Sequence, residues 1–373
     1  MRKMLLSLII LQTVICNSIN AQIALLNTAV AKINSYKNIS YEQISKQKNP
    51  FSSDWSSFKL NAITSPATTG QNGLYNIKDE RGYQNIYNGS ASIDLDLTNK
   101  TYEISNGPKQ IGWHTPYYWA HFIKQCLNRG PQRVLKLADT MINKTACYYI
   151  SLVMLDSLPA KEVHDFYLSK TTYLPVFVRQ YLQGVFGKGD IMGTQVSVMI
   201  NEDSYSGYRV NNKLFTDIAS FTIPVNFKPA KKAELIMAGT KAPGWQLKDL
   251  QGNTISSQSL RNKVILIDFS FNACAACMLS IPMLNKLHER YKGDNVQIIT
   301  VNVADTKESV ARFAKKNNIN YSILLNGKQV AENFKVSAYP TFYLIDKSGN
   351  IASAAEGFDT DFETKLSAKI DSL

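Results

Sequence analysis

Histidine and cysteine are scarce, at four and five among 373 residues. A structural zinc site needs about four Cys or His ligands brought together. The chain has one Cys-x-x-Cys, at Cys274 and Cys277, and no second one; only His288 lies near it in sequence. No metal and no cofactor is therefore expected. Dense basic runs interleaved with aromatics are also absent. The formal net charge is +12, but the Lys and Arg are scattered, so they read as a solvated surface and no nucleic-acid partner is expected. Past the N-terminus no apolar stretch is long enough to cross a bilayer. Internal repeats and low-complexity tracts are missing too. What remains is a globular composition, 45% hydrophobic and 19% charged, on a chain long enough for two domains.

The first residues, MRKMLLSLIILQTVICNSINAQ, carry a positive start (Arg2, Lys3), an apolar stretch from Leu5 to Cys16, and a small residue, Ala21, at a cleavage position. This pattern predicts a signal peptide over 1–21, export across an inner membrane, and a periplasmic location. Loss of Arg2 and Lys3 takes the charge from +12 to +10. Lipidation at Cys16 is not expected, because Ile15 stands where a small residue is needed. Export places the four remaining cysteines where disulfides persist.

Two halves follow with different periodicity. Over 22–228 an initial helical stretch (23–36) gives way to short alternating strands: a hairpin at 91–105, then strands at 146–155, 163–169, 173–184 and 194–201, with a helix at 117–128. These predict a mainly antiparallel β domain. A Pro- and Lys-bearing linker is expected at 229–240. Over 241–373, buried strands at 264–271 and 296–303 alternate with helices from Cys277 and from Thr306. A short strand (321–326), a short helix (328–336), a hairpin (341–346, 351–357) and a last helix (361–370) complete the set. That order predicts an α/β mixed sheet with helices on both faces.

Cys274 and Cys277 admit three uses. Zinc lacks further ligands. A structural staple would close too small a loop to restrain the unfolded chain much. A working dithiol has a mechanism: Cys274 sits where a buried strand hands over to a helix, and the helix N-terminus favours a thiolate. Cys274 then attacks a disulfide, and Cys277, one turn on, resolves the mixed disulfide. This use requires one exposed and one sheltered sulfur.

"VILIDF" leading into "CAAC", the opening "KAPGWQLKDLQGNTISSQSLRNK", "SAYPTFYLID" and "LIDKSGNI" together make the second half similar to the thioredoxin superfamily, in particular its exported TlpA/ResA-like branch. The resemblance implies a thioredoxin-like fold and an enzyme, a thiol-disulfide oxidoreductase acting as reductase or isomerase. It implies Cys274 as nucleophile, Cys277 as resolving thiol, Asp268 as a buried proton acceptor and Pro340 as a cis residue beside the sulfurs. Tyr339 and Thr341 would bind substrate. Its partners would be disulfide-containing exported proteins and a membrane thiol electron donor. Departures are Ser270 and Ala273 in place of two tryptophans, and Ser280 where an acidic residue is frequent; Pro282 matches. A peroxiredoxin-like peroxidase is a rival. It would need Thr or Ser three before the reactive Cys and Pro seven before it, where Phe271 and Ile267 stand.

The first half holds no catalytic constellation. His114 and His121, seven apart, would share a helix face if the helix ran that far, and read as structural. Asp139, Asp156 and Asp165 read as surface charges. "VHDFYLSKTTYLPVFVRQY" resembles LolA-like periplasmic lipoprotein carriers. That resemblance implies a curved sheet or half-barrel crossed by a helix, and a lipid or apolar-ligand carrier as the alternative function; a docking module is equally open. Cys126 and Cys147 are candidates for a structural disulfide.

Overall fold

The computed structural model describes residues 20–48, 54–66, 73–109, 114–130, 133–157, 159–185, 196–213, 217–230, 234–272, 274–293, 295–357 and 361–373. The expected signal peptide falls almost wholly outside them, as does Ala273. The chain forms two compact units: a first drawn from residues up to 230 and a second centred on 231–373. Among the described residues no helix is long and apolar enough to cross a membrane. No three His, Cys, Asp or Glu side chains among them are grouped to hold a metal ion.

The first unit opens with helix α1 over 20–35. Strands follow: β1 (Ile39–Lys48), β2 (Trp55–Ser65), β3 (Leu74–Asp79), β4 (Tyr83–Tyr87), β5 (Ala91–Asp96) and β6 (Thr101–Asn106). After helix α2 (Pro116–Arg129) come β7 (Val134–Lys136), β8 (Thr140–Ile142), β9 (Thr145–Ser157), β10 (Ala160–Ser169), β11 (Pro175–Val185), β12 (Val196–Val210) and β13 (Lys228–Pro229). They make one sheet in the order β13-β6-β5-β4-β3-β2-β1-β12-β11-β10-β9-β7, with β8 also on β9. Leu26, Ala29, Val30 and Ile33 of α1 recur at helical spacing and are buried. α2 is capped by Thr115, which accepts the Tyr118 N–H, with Pro116 in its first turn. Both helices pack on one face of the sheet, against Tyr41, Leu60, Phe166 and Val178.

β1 to β4 carry no strand signal that the sequence reading caught. β1 alternates in burial, yet two of its inward residues are Gln43 and Ser45. Hydrophobic alternation was therefore lost where the interior is polar. α2 starts at Pro116, so His114 is not on the helix with His121. A groove of about 570 Å³ on this unit is lined by Asp79, Arg81, Asn85 and Lys109 together with Ile77, Leu95 and Tyr102. Cys126 and Cys147 are free thiols, so the expected disulfide is not formed. The Cys126 sulfur lies 3.3 Å from that of Met154. Cys147 is seven residues back along β9, about 23 Å of extended chain.

The second unit contains β14 (Gln246–Asp249), β15 (Thr254–Ser256), β16 (Val264–Ser270), α3 (Ala275–Arg290), β17 (Val296–Asn302), α4 (Lys307–Lys316), β18 (Ser322–Leu325), α5 (Lys328–Asn333), β19 (Thr341–Ile345), β20 (Ile351–Glu356) and α6 (Phe362–Asp371). The sheet order is β15-β14-β18-β17-β16-β19-β20. β16 pairs parallel with β17 and antiparallel with β19. It is an interior strand and is buried on both faces. Ile265, Ile267 and Phe269 face a core with Val330 and Phe334 of the α5 region. Val264 and Leu266 face Met283, Leu284 and Leu287 of α3 and Leu366 and Ile370 of α6. The mixed, two-faced sheet is a thioredoxin-like fold. Much of the expected linker is held on this unit: Leu235 and Ile236 pack on its core, and Gly239 N–H donates to the Ile351 carbonyl at 2.8 Å. Backbone pairing and these two apolar side chains tie down a stretch whose sequence shows no period.

The polar interior of the first unit centres on Asp203 of β12, 1% exposed. It accepts hydrogen bonds from Ser45 and, at 2.9 Å, from the Gln43 amide, and it pairs with Nδ1 of half-buried His114. Burial pulls the His114 pKa down, but the Asp203 carboxylate outweighs it and the net shift is upward. Burial pushes Asp203 up, yet His114, Ser45 and Gln43 hold it below the usual range. The H114Q substitution leaves that carboxylate short of its counter-charge and is expected to destabilise the protein by about 3 kcal/mol near pH 6. The loss should narrow as pH rises through the raised His114 value, where the imidazolium is gone. It should narrow again on acidification below about pH 4, as Asp203 protonates. Denaturant unfolding of wild type and H114Q across pH checks both limbs; a pH-independent gap would contradict the ion pair.

Candidate functional site

The site is set by the alternation of β16. With Leu266 facing α3, Asp268 two residues on faces α3 as well, beneath its first turns. Asp268 is 3% exposed. Its Oδ2 accepts the Thr300 hydroxyl at 2.7 Å from the paired position on β17, and its Oδ1 has no hydrogen-bond partner among the described residues. Burial pushes this carboxyl up to about 7, with the Thr300 and Ser270 hydroxyls pulling against it.

Cys274 is the N-cap of α3, and its sulfur accepts the Cys277 N–H at 3.1 Å. Cys274 and Cys277 are joined as a disulfide, with their Cα atoms 5.2 Å apart. Both are nearly buried, Cys274 at 7% and Cys277 at 5% exposed. The expected contrast between an exposed and a sheltered sulfur is thus absent in this oxidised state, because the bond draws Cys274 against the first turn. Between Cys277 and Asp268 lies a small cavity of about 10 Å³, lined also by Ser270, Asn272, Thr300 and Asn302. That is about the space of one water molecule. Ser280, where an acidic residue was looked for, is fully buried, and its hydroxyl bonds back to the Cys277 carbonyl at 2.9 Å. Pro282 lies inside α3 and removes one N–H from its ladder.

The loop before β19 lies beside the end of β16, where Thr341 pairs with Phe269. The Tyr339–Pro340 peptide is cis. Tyr339 is half-buried and meets Phe271 edge to face, ring centroids 5.3 Å apart. Thr341 is fully buried and its hydroxyl donates to the Ala338 carbonyl at 2.7 Å. Its side chain therefore shapes the loop. Phe271 and Ile267 offer no hydroxyl to a peroxide.

The sequence reading missed a polar cluster beside the motif. The Asn272 backbone N–H donates to Asp305 Oδ2 at 2.7 Å, and its side-chain amide donates to Ser309 Oγ at 2.8 Å. Asn302 donates to the same Asp305 oxygen at 2.9 Å. No sequence pattern flags these residues; they meet only because β16 and β17 are parallel neighbours whose ends emerge together.

Residues 238–354 match the model of the AhpC/TSA family. The chain is 33% identical over 149 residues to thiol-disulfide oxidoreductase ResA of Geobacillus kaustophilus (strain HTA426), covering 39% of this chain and 84% of that protein. ResA of Bacillus subtilis (strain 168) is 30% identical over 129 residues, 34% of this chain and 72% of the relative. Thioredoxin-like protein YneN of the same strain is 30% identical over 145 residues, 38% and 85%. Among solved structures, a putative thioredoxin from Neisseria meningitidis is similar at 34% identity and a TM-score of 0.33, covering 36% of this chain and 89% of that one. A putative thiol:disulfide interchange protein DsbE from Chlorobium tepidum is similar at 23% identity and a TM-score of 0.35, covering 37% and 97%. With a dithiol at a helix start above a buried carboxylate, and with these relatives, the chain belongs to the ResA-like thiol-disulfide oxidoreductases.

Proposed function

We propose that the protein reduces or isomerises disulfides of exported proteins through the Cys274–Cys277 couple, with Asp268 as the proton acceptor for Cys277. The observation that carries this reading is the orphaned Oδ1 of Asp268 across a one-water cavity from Cys277. A buried carboxylate oxygen without a partner is unfavourable unless a water or a second group reaches it. A water there would link carboxylate and thiol, and a carboxyl titrating near 7 is poised to exchange a proton at neutral pH.

In the reducing direction both cysteines start as thiols. The Cys274 thiolate attacks one sulfur of the substrate disulfide, that S–S bond breaks, and the leaving substrate thiolate takes up a proton. Cys277 gives its proton toward Asp268 and attacks the Cys274 sulfur, releasing the second substrate thiol. Two electrons have passed from the enzyme dithiol to the substrate. A thiol donor, on this reading at the membrane, returns them to the Cys274–Cys277 disulfide. Tyr339 and Phe271, whose rings meet edge to face, would meet the substrate chain, with the backbone at Tyr339–Pro340 free to pair with an extended segment.

Cys277→Ala should accumulate covalent mixed disulfides with substrate proteins through Cys274, resolved by added reductant; a variant that traps nothing, from a wild type that reduces no model disulfide, would sink the reading. The resolving step in wild type should quicken between about pH 5 and pH 8 with a midpoint near 7, as Asp268 ionises. In D268N that limb should vanish, with a loss of about 10-fold or more at pH 8. Stability moves the opposite way. Asp268 is protonated in the folded state and ionised in the unfolded chain between about pH 4 and 7. Wild type should therefore lose stability across that window, while D268N should not.

A further inference from the structure

The thiolate at Cys274 draws its support from the first turn of α3, whose Cys277 N–H points at the sulfur from 3.1 Å. That alignment depends on residues 271–274, which carry the chain from β16 into the helix. In the sequence, Ala273 stands where a bulky aromatic commonly precedes the nucleophile. Polar contacts take its place. Asn272 is 2% exposed. It is tied to the end of β17, the loop after it and α4: its backbone N–H donates to Asp305 Oδ2 at 2.7 Å, its side-chain N–H donates to Ser309 Oγ at 2.8 Å, and its side-chain Oδ1 accepts from the Asn302 amide at 3.5 Å. Asp305 is the hub. A single oxygen, Oδ2, accepts from both Asn272 and Asn302. Asp305 is itself fixed by its backbone N–H on Asn302 Oδ1 at 2.9 Å, and Ala304 N–H joins the same acceptor at 3.2 Å.

We propose that Asp305 is a positioning residue for the nucleophile: through Asn272 it holds the 271–274 turn so that the first N–H groups of α3 meet the Cys274 sulfur. This rests on the dithiol reading above and adds to it which group aligns the thiolate. The role is that of a hydrogen-bond acceptor. The negative charge itself works against the thiolate, since a nearby anion disfavours ionisation.

The two contributions have opposite signs, which makes them separable. D305A removes both the charge and the acceptor. D305N removes the charge and keeps an oxygen able to accept both N–H groups. The measurement is the rate at which iodoacetamide alkylates Cys274 in the reduced full-length protein, as a function of pH, with the modified cysteine assigned by mass spectrometry. D305A is expected to alkylate roughly 3- to 10-fold more slowly at pH 7, with its half-maximal pH moved up by about half a unit or more. D305N is expected to return to wild-type rate or exceed it. General loosening of the fold would not give this pair of opposite responses. A D305A profile that is unchanged or moved to lower pH overturns the proposal, as does a D305N as slow as D305A. A wild type whose Cys274 reacts no faster than an ordinary thiol would instead strike at the dithiol reading itself.

Discussion

A carboxylate confined below a helix is the constraint on which the second unit turns. β16 is covered on both faces, and such a strand is ordinarily an unbroken apolar run. Asp268 interrupts that run and brings a group whose ionised form is disfavoured there. Removing the carboxyl would strengthen the core. Thr300 donates to that carboxyl from β17, and a cavity about the size of one water molecule lies between it and Cys277. The same strand carries the chain to the point where α3 begins, so the buried carboxyl and the cysteine pair are placed by a single element.

Around the sulfurs the side chains contribute little charge. The two residues between the cysteines are alanines, and α3 has no acidic residue in its first turn. Thiolate support therefore comes from main-chain N–H groups at a helix end, a field whose strength depends on orientation more than on residue type. In such a site the groups that fix the entry to the helix matter as much as the groups that touch sulfur. Ser280, bonded to the carbonyl of Cys277, belongs to the same pattern of backbone shaping.

Much of the second unit was legible because its pattern is apolar and local. The runs at 264–271 and 296–303, the Thr306 cap and the hairpin about 347–350 each announce themselves by period or turn chemistry. The dithiol was legible from spacing and context, and Asp268 from its place six residues before Cys274. Asn272, Asn302 and Asp305 were not, since polar residues near loop ends occur everywhere and these act through parallel pairing far apart in sequence. In the first unit β5 and β6 showed as a hairpin, whereas β1 and β2 were hidden. Their inward positions include Gln43 and Ser45, which serve Asp203, and a period in burial is invisible when the buried residue is polar. The Cys126–Cys147 expectation failed because cysteine counting says nothing of which strand face or helix stripe each thiol occupies.

Those two unpaired cysteines have a chemical consequence. A protein that trades disulfides exposes its own spare thiols to the same exchange, and scrambling with Cys274 would leave it inactive. Cys126 is on the buried stripe of α2, where desolvation lifts its thiol to about 11. At pH 7 only about one molecule in ten thousand would carry the thiolate. Cys147 is buried as well, and burial raises it too. Both described thiols of the first unit are thus held in the protonated, unreactive form.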